Sequence, residues 1–159
     1  MAKEIPLTKG HIAIVDDEDY PLLAQWKWSY SQGYAVRKVK TETGTKTYAM
    51  HSQLLTTACD SIVDHINGNR LDNRRHNLRP CAHLQNNMNR RPNLNKLSNP
   101  FKGVYKHKRR KANPWQAMIG YQGTRIHLGV FPTATEAAKA YNAAALHYYG
   151  EYAWLNQVD

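Results

Sequence analysis

With 159 residues, 42% of them apolar, the chain suits one ordinary domain or two or three small ones, and no uncharged apolar run is long enough to span a membrane. Its N-terminus lacks the basic-apolar-small pattern of a secretion signal, and Cys59 and Cys81 are too few for a disulfide framework or a zinc ribbon, which points to a reduced, intracellular protein. The net charge of +10 is concentrated: residues 1–63 carry seven Lys/Arg against seven Asp/Glu, residues 64–111 thirteen against two, and residues 112–159 two against three. A basic block of that kind suits a polyanion, because each cation that neutralises a phosphate releases a condensed counterion. The block lacks the apolar stripe of an interfacial helix, so a membrane surface is the weaker partner.

In chain order, "HIAIV" alternates apolar residues and reads as a strand, and "DEDYPLLAQW" starts a short helical turn behind an acidic cap. Trp26, Trp28, Tyr30 and Tyr34 are expected to form a small aromatic core. "GYAVRKVK" and "ETGTKTYAMH" read as a hairpin with Gly44 in its turn. These elements make a compact antiparallel module over residues 1–50 in which nothing demands chemistry. The next segment, 51–92, holds "VDHINGNRLDNRRHNLR", dense in Asp, His, Asn and Arg. "SIVDHI" reads as a strand, "INGNRLDN" as a turn-rich loop, "NLRPC" as a short returning strand and "AHLQNNMNRR" as a short helix. Cys59 and Cys81 read as small core residues. "RPNLNKLSNP" breaks regularity, which places a linker at 93–100.

The last segment, 101–159, has the clearest periodicity. Trp115, Ala117, Ile119 and Tyr121 alternate with Gln116, Met118, Gly120 and Gln122; after a Gly123-Thr124 turn, Ile126, Leu128 and Val130 alternate with Arg125, His127 and Gly129. "GVYKH" is a third strand. Thr133 with Glu136 three residues on makes a capping box, and Ala137, Tyr141, Ala144 and Tyr148 form the inner stripe of a helix that Gly150 stops. The fold class expected is therefore α+β: a small antiparallel module, a hairpin followed by a helix, then a three-stranded antiparallel sheet packed on one helix.

Cutting a phosphodiester needs an activated water, a cation on the phosphate and stabilisation of the leaving oxygen. Adjacent Asp64 and His65 at the end of a strand point to opposite sides, so they can do two jobs on one phosphate. A histidine supplies a base near neutral pH. Oxygen donors from a carboxylate and from Asn86, in the first turn of the helix facing Asp64, suit a hard ion such as magnesium better than zinc. The bland alternative is a hairpin whose Asn and Asp cap turns.

"VDHINGNRLDNRRHNLR" continuing into "HLQNNMNR" resembles the HNH endonucleases, in particular the small phage and intron-encoded homing enzymes. The resemblance implies a ββα-metal nuclease motif, with Asp64 and Asn86 ligating one divalent cation, magnesium first and manganese second. It makes His65 the general base and Asn77 the residue whose amide ties the loop to the hairpin and orients that base. His51 matches a histidine that often precedes the motif, with a structural role first. Ala82 and Ser52 depart from the family, where a threonine and an arginine are usual. His76 and His83 are left out of the metal site as phosphate contacts or solvated groups.

Residues 98–156, through "FKGVYKH", "WQAMI", "RIHLGVF", "TATEAAKAYNAAA" and "AWLN", resemble the plant APETALA/ethylene-response DNA-binding domain. That likeness implies a sheet presented to the major groove with the helix behind it, and Lys102, Tyr105, His107, Gln116, Met118, Arg125 and His127 facing DNA. Gln116 and Arg125 are the candidates for base edges, since both make bidentate contacts. Lys106, Lys108, Arg109, Arg110 and Lys111 suit phosphates, and Arg70, Arg74, Arg75, Arg90 and Arg91 are the DNA-binding candidates of the middle segment. The family's target sequence does not carry over, because Tyr105, Met118, Gly120 and His127 stand where plant members use mostly arginines and tryptophans.

The sequence thus leads to a site-preferring, homing-type endonuclease of double-stranded DNA that leaves 5′-phosphate and 3′-hydroxyl ends. One site per chain implies nicking, with monomer or dimer left open. The alternative is a catalytically inactive DNA-binding regulator. RNA is disfavoured, because its A-form major groove is too narrow for a sheet to read.

Overall fold

The structure, a computed structural model, describes residues 1–55, 61–92, 99–107 and 112–158. They form an α+β chain of antiparallel sheets and few helices, in two compact units, Met1–Asn86 and Asn87–Asp159. Among the described residues no helix is long and apolar enough to cross a membrane.

In the first unit, β1 (Ala2–Pro6) pairs antiparallel with β2 (Ile12–Asp16), and α1 (Tyr20–Ala24) follows. The sheet β3 (Ser29–Ser31), β4 (Tyr34–Thr41), β5 (Gly44–Ala49) is antiparallel with β4 central, and α2 (Met50–Leu54) leads away from it. β6 (Ile62–His65) and β7 (Leu78–Cys81) form a two-stranded hairpin, followed by α3 (His83–Met88). One apolar core joins these parts: Ile5, Ala13, Val15, Leu23, Trp28, Ala35, Met50, Leu54 and Leu78 bury together. The residues expected as a module at 1–50 therefore share their interior with the hairpin that follows.

The expected aromatic core does not form as such. Only Trp28 is buried, its indole N–H donating to the Leu23 carbonyl at 2.8 Å. Trp26 lies outside the strands and is 42% exposed, with the Arg37 guanidinium 4.1 Å above its ring. Tyr30 stacks on His11 and Tyr34 leans on His51. Aliphatic side chains fill most of the centre around Trp28, whereas Trp26 is exposed and Tyr30 and Tyr34 are half-buried. Asp19 precedes α1 without capping it; its carboxylate is taken by Arg75 instead.

The second unit is a sheet in the order β10-β9-β8, with β8 Val104–Lys106, β9 Trp115–Tyr121 and β10 Thr124–Phe131, covered by α4 (Ala134–Tyr149). Thr133 caps α4 through its hydroxyl, which accepts from the Glu136 N–H, and Gly150 ends it at φ 56°. Ala117, Ile119, Ala137, Ala138, Tyr141 and Ala145 are buried between sheet and helix. Alanines at the contact let helix and sheet approach closely, and Gly103 at φ 73° completes it: a Cβ there would run into the Tyr141 ring. Buried Asn156 clasps the C-terminal segment, accepting from the Lys102 N–H at 2.6 Å and donating to the Lys102 carbonyl at 3.1 Å. Most of the expected linker, and Cys59, lie outside the described residues; Cys81 is a buried thiol whose pKa burial raises.

Candidate active site

Asp64 and His65 are consecutive on β6, so the pleat sends their side chains to opposite faces, and both are buried. The ladder places Asp64 opposite Arg79 and His65 opposite Leu78. Arg79 donates from Nε (3.1 Å) and Nη2 (2.8 Å) to Asp64 Oδ2, giving a buried carboxylate the cation that burial demands. Arg79 was not singled out in the sequence, although the register of "SIVDH" against "NLRPC" carries the signal.

His65 Nε2 lies 3.4 Å from Oδ1 of Asn73, which is fully buried. The Asn73 amide nitrogen donates to the Leu71 carbonyl at 3.2 Å, which fixes Oδ1 as the acceptor. His65 Nε2 is then the donor, and the lone pair of the neutral ring sits on Nδ1. Burial lowers the His65 pKa and Arg70 lowers it further, against the opposing pull of the Asn73 hydrogen bond and of Asp64 and Asp72. A neutral imidazole at neutral pH is the form a general base needs.

The loop between β6 and β7 is pinned from two sides. β2 holds it through Ile14 N–H to Leu71 O (2.8 Å) and Asn73 N–H to Ile14 O (2.7 Å). Asn77 holds it through Oδ1, which accepts from the Asn67 N–H at 2.9 Å, and Nδ2, which donates to Asp72 O at 2.7 Å. Asn77 is thus buried in the frame of the loop, while the residue against the imidazole is Asn73.

A second group of rings closes in on His65. His51 from α2 meets it edge-on with ring centres 5.0 Å apart, and Tyr34 at the start of β4 lies 5.3 Å from His51 and 6.1 Å from His65. Arg70 sits 4.5 Å over the Tyr34 ring and donates to the Gln32 carbonyl at 3.2 Å. Burial first, then electrostatic interaction with His65 and Arg70, lowers the His51 pKa to about 4. Tyr34, expected in an aromatic core, is a wall of this cluster; only the fold reveals that.

The remaining cations divide. Arg74 is held by Asp72 at 2.8 and 2.7 Å, and Arg75 by Asp19 at 2.9 and 2.7 Å with its backbone N–H on Asp16. Both guanidinium groups, expected to meet DNA, are neutralised by carboxylates within the first unit. The Arg74 hydrogen bonds hold the Asp72 carboxyl below its usual range. Arg70 is exposed, over the Tyr34 ring. Asn86 stands half-buried in the first turn of α3, its N–H on Ala82 O at 3.1 Å. The missing threonine at Ala82 is offset by Gln85, whose side chain accepts from the Ala82 N–H at 2.8 Å, the half of a capping box that needs no hydroxyl. His76 and His83 are exposed.

Among the described residues no three His, Cys, Asp or Glu side chains cluster as a metal site. One carboxylate and one amide oxygen still match magnesium, which keeps several waters and takes one or two protein oxygens plus substrate phosphate. The donor chemistry of Asp64 and Asn86 fits such an ion.

In the second unit, the ladder sets Tyr105 opposite Gln116, Met118 opposite His127 and Gly120 opposite Arg125. These residues share the face away from α4, with Tyr105, Arg125 and His127 exposed and Gln116 and Met118 half-buried. His107 is exposed at the end of β8. Lys102, expected on this face, turns inward: its ammonium donates to Met88 O at 2.6 Å, and burial with Arg90 nearby lowers its pKa to about 8. Arg90 and Arg91 belong to this unit and are exposed, Arg91 lying 5.0 Å over the Trp154 ring. Lys106 sits 5.4 Å over Trp115. Lys108, Arg109, Arg110 and Lys111 lie outside the described residues.

No family model and no solved structure matches the chain. An uncharacterized HNH endonuclease of Acanthamoeba polyphaga mimivirus is 30% identical over 156 residues, covering 95% of this chain and 78% of that protein. The Asp64-His65 hairpin and a likeness running along nearly the whole chain agree, and the chain belongs to the HNH endonuclease family.

Proposed function

We propose that this protein is a metal-dependent, homing-type endonuclease of duplex DNA that nicks one strand, leaving 5′-phosphate and 3′-hydroxyl ends. The observation that carries this reading is His65: a buried imidazole within 3.4 Å of Asn73 Oδ1 and one residue from Asp64. His65 Nδ1 takes a proton from water as that water attacks phosphorus in line with the 3′-oxygen. Asp64 and Asn86 would hold a magnesium ion, or manganese in its place, which would supply positive charge against the phosphate and the departing oxygen. Asn77 and Asn73 keep the loop and the imidazole in place, and exposed Arg70 attracts the phosphate. The exposed sheet face of the second unit, resembling the APETALA-type domain, anchors the duplex, with Arg125 and Gln116 on base edges and Tyr105, Met118, His107 and His127 beside them. Arg90, Arg91, Lys108 and Arg109 hold phosphates; the name of the mimivirus relative supports the endonuclease assignment.

The Arg79-Asp64 ion pair favours the second reading, an inactive DNA-binding regulator, since it gives the carboxylate a partner without a metal. Nicking by purified protein on a library of duplexes, with cleaved ends mapped, separates the two. Mapped 5′-phosphate ends that require a divalent ion support the enzyme; binding without any cut end supports the regulator.

A further inference from the structure

The even charge of residues 1–63 is an average over two opposite clusters. Asp16, Asp17, Glu18 and Asp19 lie together, and Arg75 and Lys3 meet three of them in salt bridges. Residues 20–55 contain Lys27, Arg37, Lys38, Lys40 and Lys46 against Glu42 alone. Among the described residues none of these five cations has an ion-pair partner. Lys27, Lys38 and Lys40 are exposed and line one open groove of about 590 Å³ with Trp26, Arg37, Val39 and Tyr48. The groove is braced from within. Arg37 lies 4.1 Å from the Trp26 ring and 5.3 Å from that of Tyr48, and with the Gln53 carboxamide oriented to accept, it donates from Nε and Nη2 at 2.9 Å each.

We propose that the lysines about this groove make a phosphate-backbone contact that extends the DNA footprint along the β4–β5 hairpin, away from the point of cleavage, with Lys38 and Lys40 on the face of β4 that carries Tyr34 rather than on the Arg37-Tyr48 wall. It rests on the endonuclease reading above. Three ammonium groups on flexible stems act as point charges that suit phosphates and read no bases. The one guanidinium nearby, Arg37, is spent on bracing the wall. β4 begins at Tyr34, beside His51 and His65, and runs outward. At about 3.3 Å per residue, Lys38 and Lys40 stand roughly 13 and 20 Å further along. With one phosphate per strand about every 3.4 Å of helix axis, that reaches roughly four to six base pairs from the cut.

The test is hydroxyl-radical footprinting of the full-length protein on a duplex that it nicks, with binding measured against salt. Wild type is compared with a triple variant, Lys27→Gln, Lys38→Gln and Lys40→Gln, and with Lys40→Gln alone. The triple variant is expected to lose protection about four to six base pairs to one side of the nick and to keep it at the nick. Its slope of log affinity against log salt should fall by about 2.7, and that of the single variant by about 0.9. A wild type that nicks, with variants of unchanged footprint and salt slope, overturns this proposal alone. A wild type that protects and nicks no duplex overturns the endonuclease reading and the proposal with it.

Discussion

His51 shows how a buried ring couples the site to the stability of the fold. Unfolded, it titrates near 6.5; folded, burial beside His65 and Arg70 lowers it to about 4. The unfolded chain therefore binds the proton more readily across that interval. The stability His51 contributes is fully present above about pH 6.5 and lost as pH falls through 4, about 3 kcal/mol in all. Thermal melts are expected to drop more steeply between pH 6.5 and 4 for wild type than for His51→Phe, which keeps a ring and cannot titrate. Parallel melting curves against pH would show that His51 is not held neutral. Arg79 makes the complementary case for a buried charge. Arg79→Ala leaves the Asp64 carboxylate without the cation across the ladder, and chemical denaturation should register a loss of about 3–5 kcal/mol. A loss below about 1 kcal/mol would mean that Asp64 does not depend on it.

Among elements, the most legible are those whose periodicity needs no distant partner. β9, β10 and α4 are readable because one apolar face per strand, a Thr133 cap and a Gly150 stop are local properties. The β6–β7 hairpin is readable from "SIVDH" and "NLRPC", and so are the places of Asp64 and His65 upon it. What stays hidden is set by contacts across tens of residues. Asn73 reaches His65 only because Ile14 of β2 pins the loop, and Tyr34 reaches the site only because β4 starts beside α2. Arg74 and Arg75 look like unpaired cations in the sequence, and Asp72 and Asp19 neutralise them in the fold. At this scale Gly103→Ala is the sharpest test of the helix-on-sheet packing. Its Cβ would run into Tyr141 and the Met118 carbonyl from a left-handed backbone. It should destabilise the protein by at least about 2 kcal/mol in denaturant melts. A neutral effect would mean that α4 does not sit so close to the sheet.

Over the whole molecule, two units share one chain, and each carries a different part of the proposed chemistry: the imidazole and carboxylate in Met1–Asn86, the exposed sheet face in Asn87–Asp159. The positive middle third gains meaning only after the internal pairs of Arg74, Arg75 and Arg79 are set aside, since those charges hold the fold together. One hairpin site per chain implies that nicking is first order in protein, with linear product lagging behind open circles. Simultaneous appearance of linear DNA, with a second-order dependence on protein, would require a dimer instead. Incubation of supercoiled plasmid with wild type and with His65→Ala, each with and without magnesium, reaches the root of the account. Relaxed circles are expected for wild type with magnesium alone, and a loss of at least about a hundredfold in His65→Ala with duplex binding retained. Undiminished relaxation by His65→Ala, or intact plasmid under every condition, would contradict it.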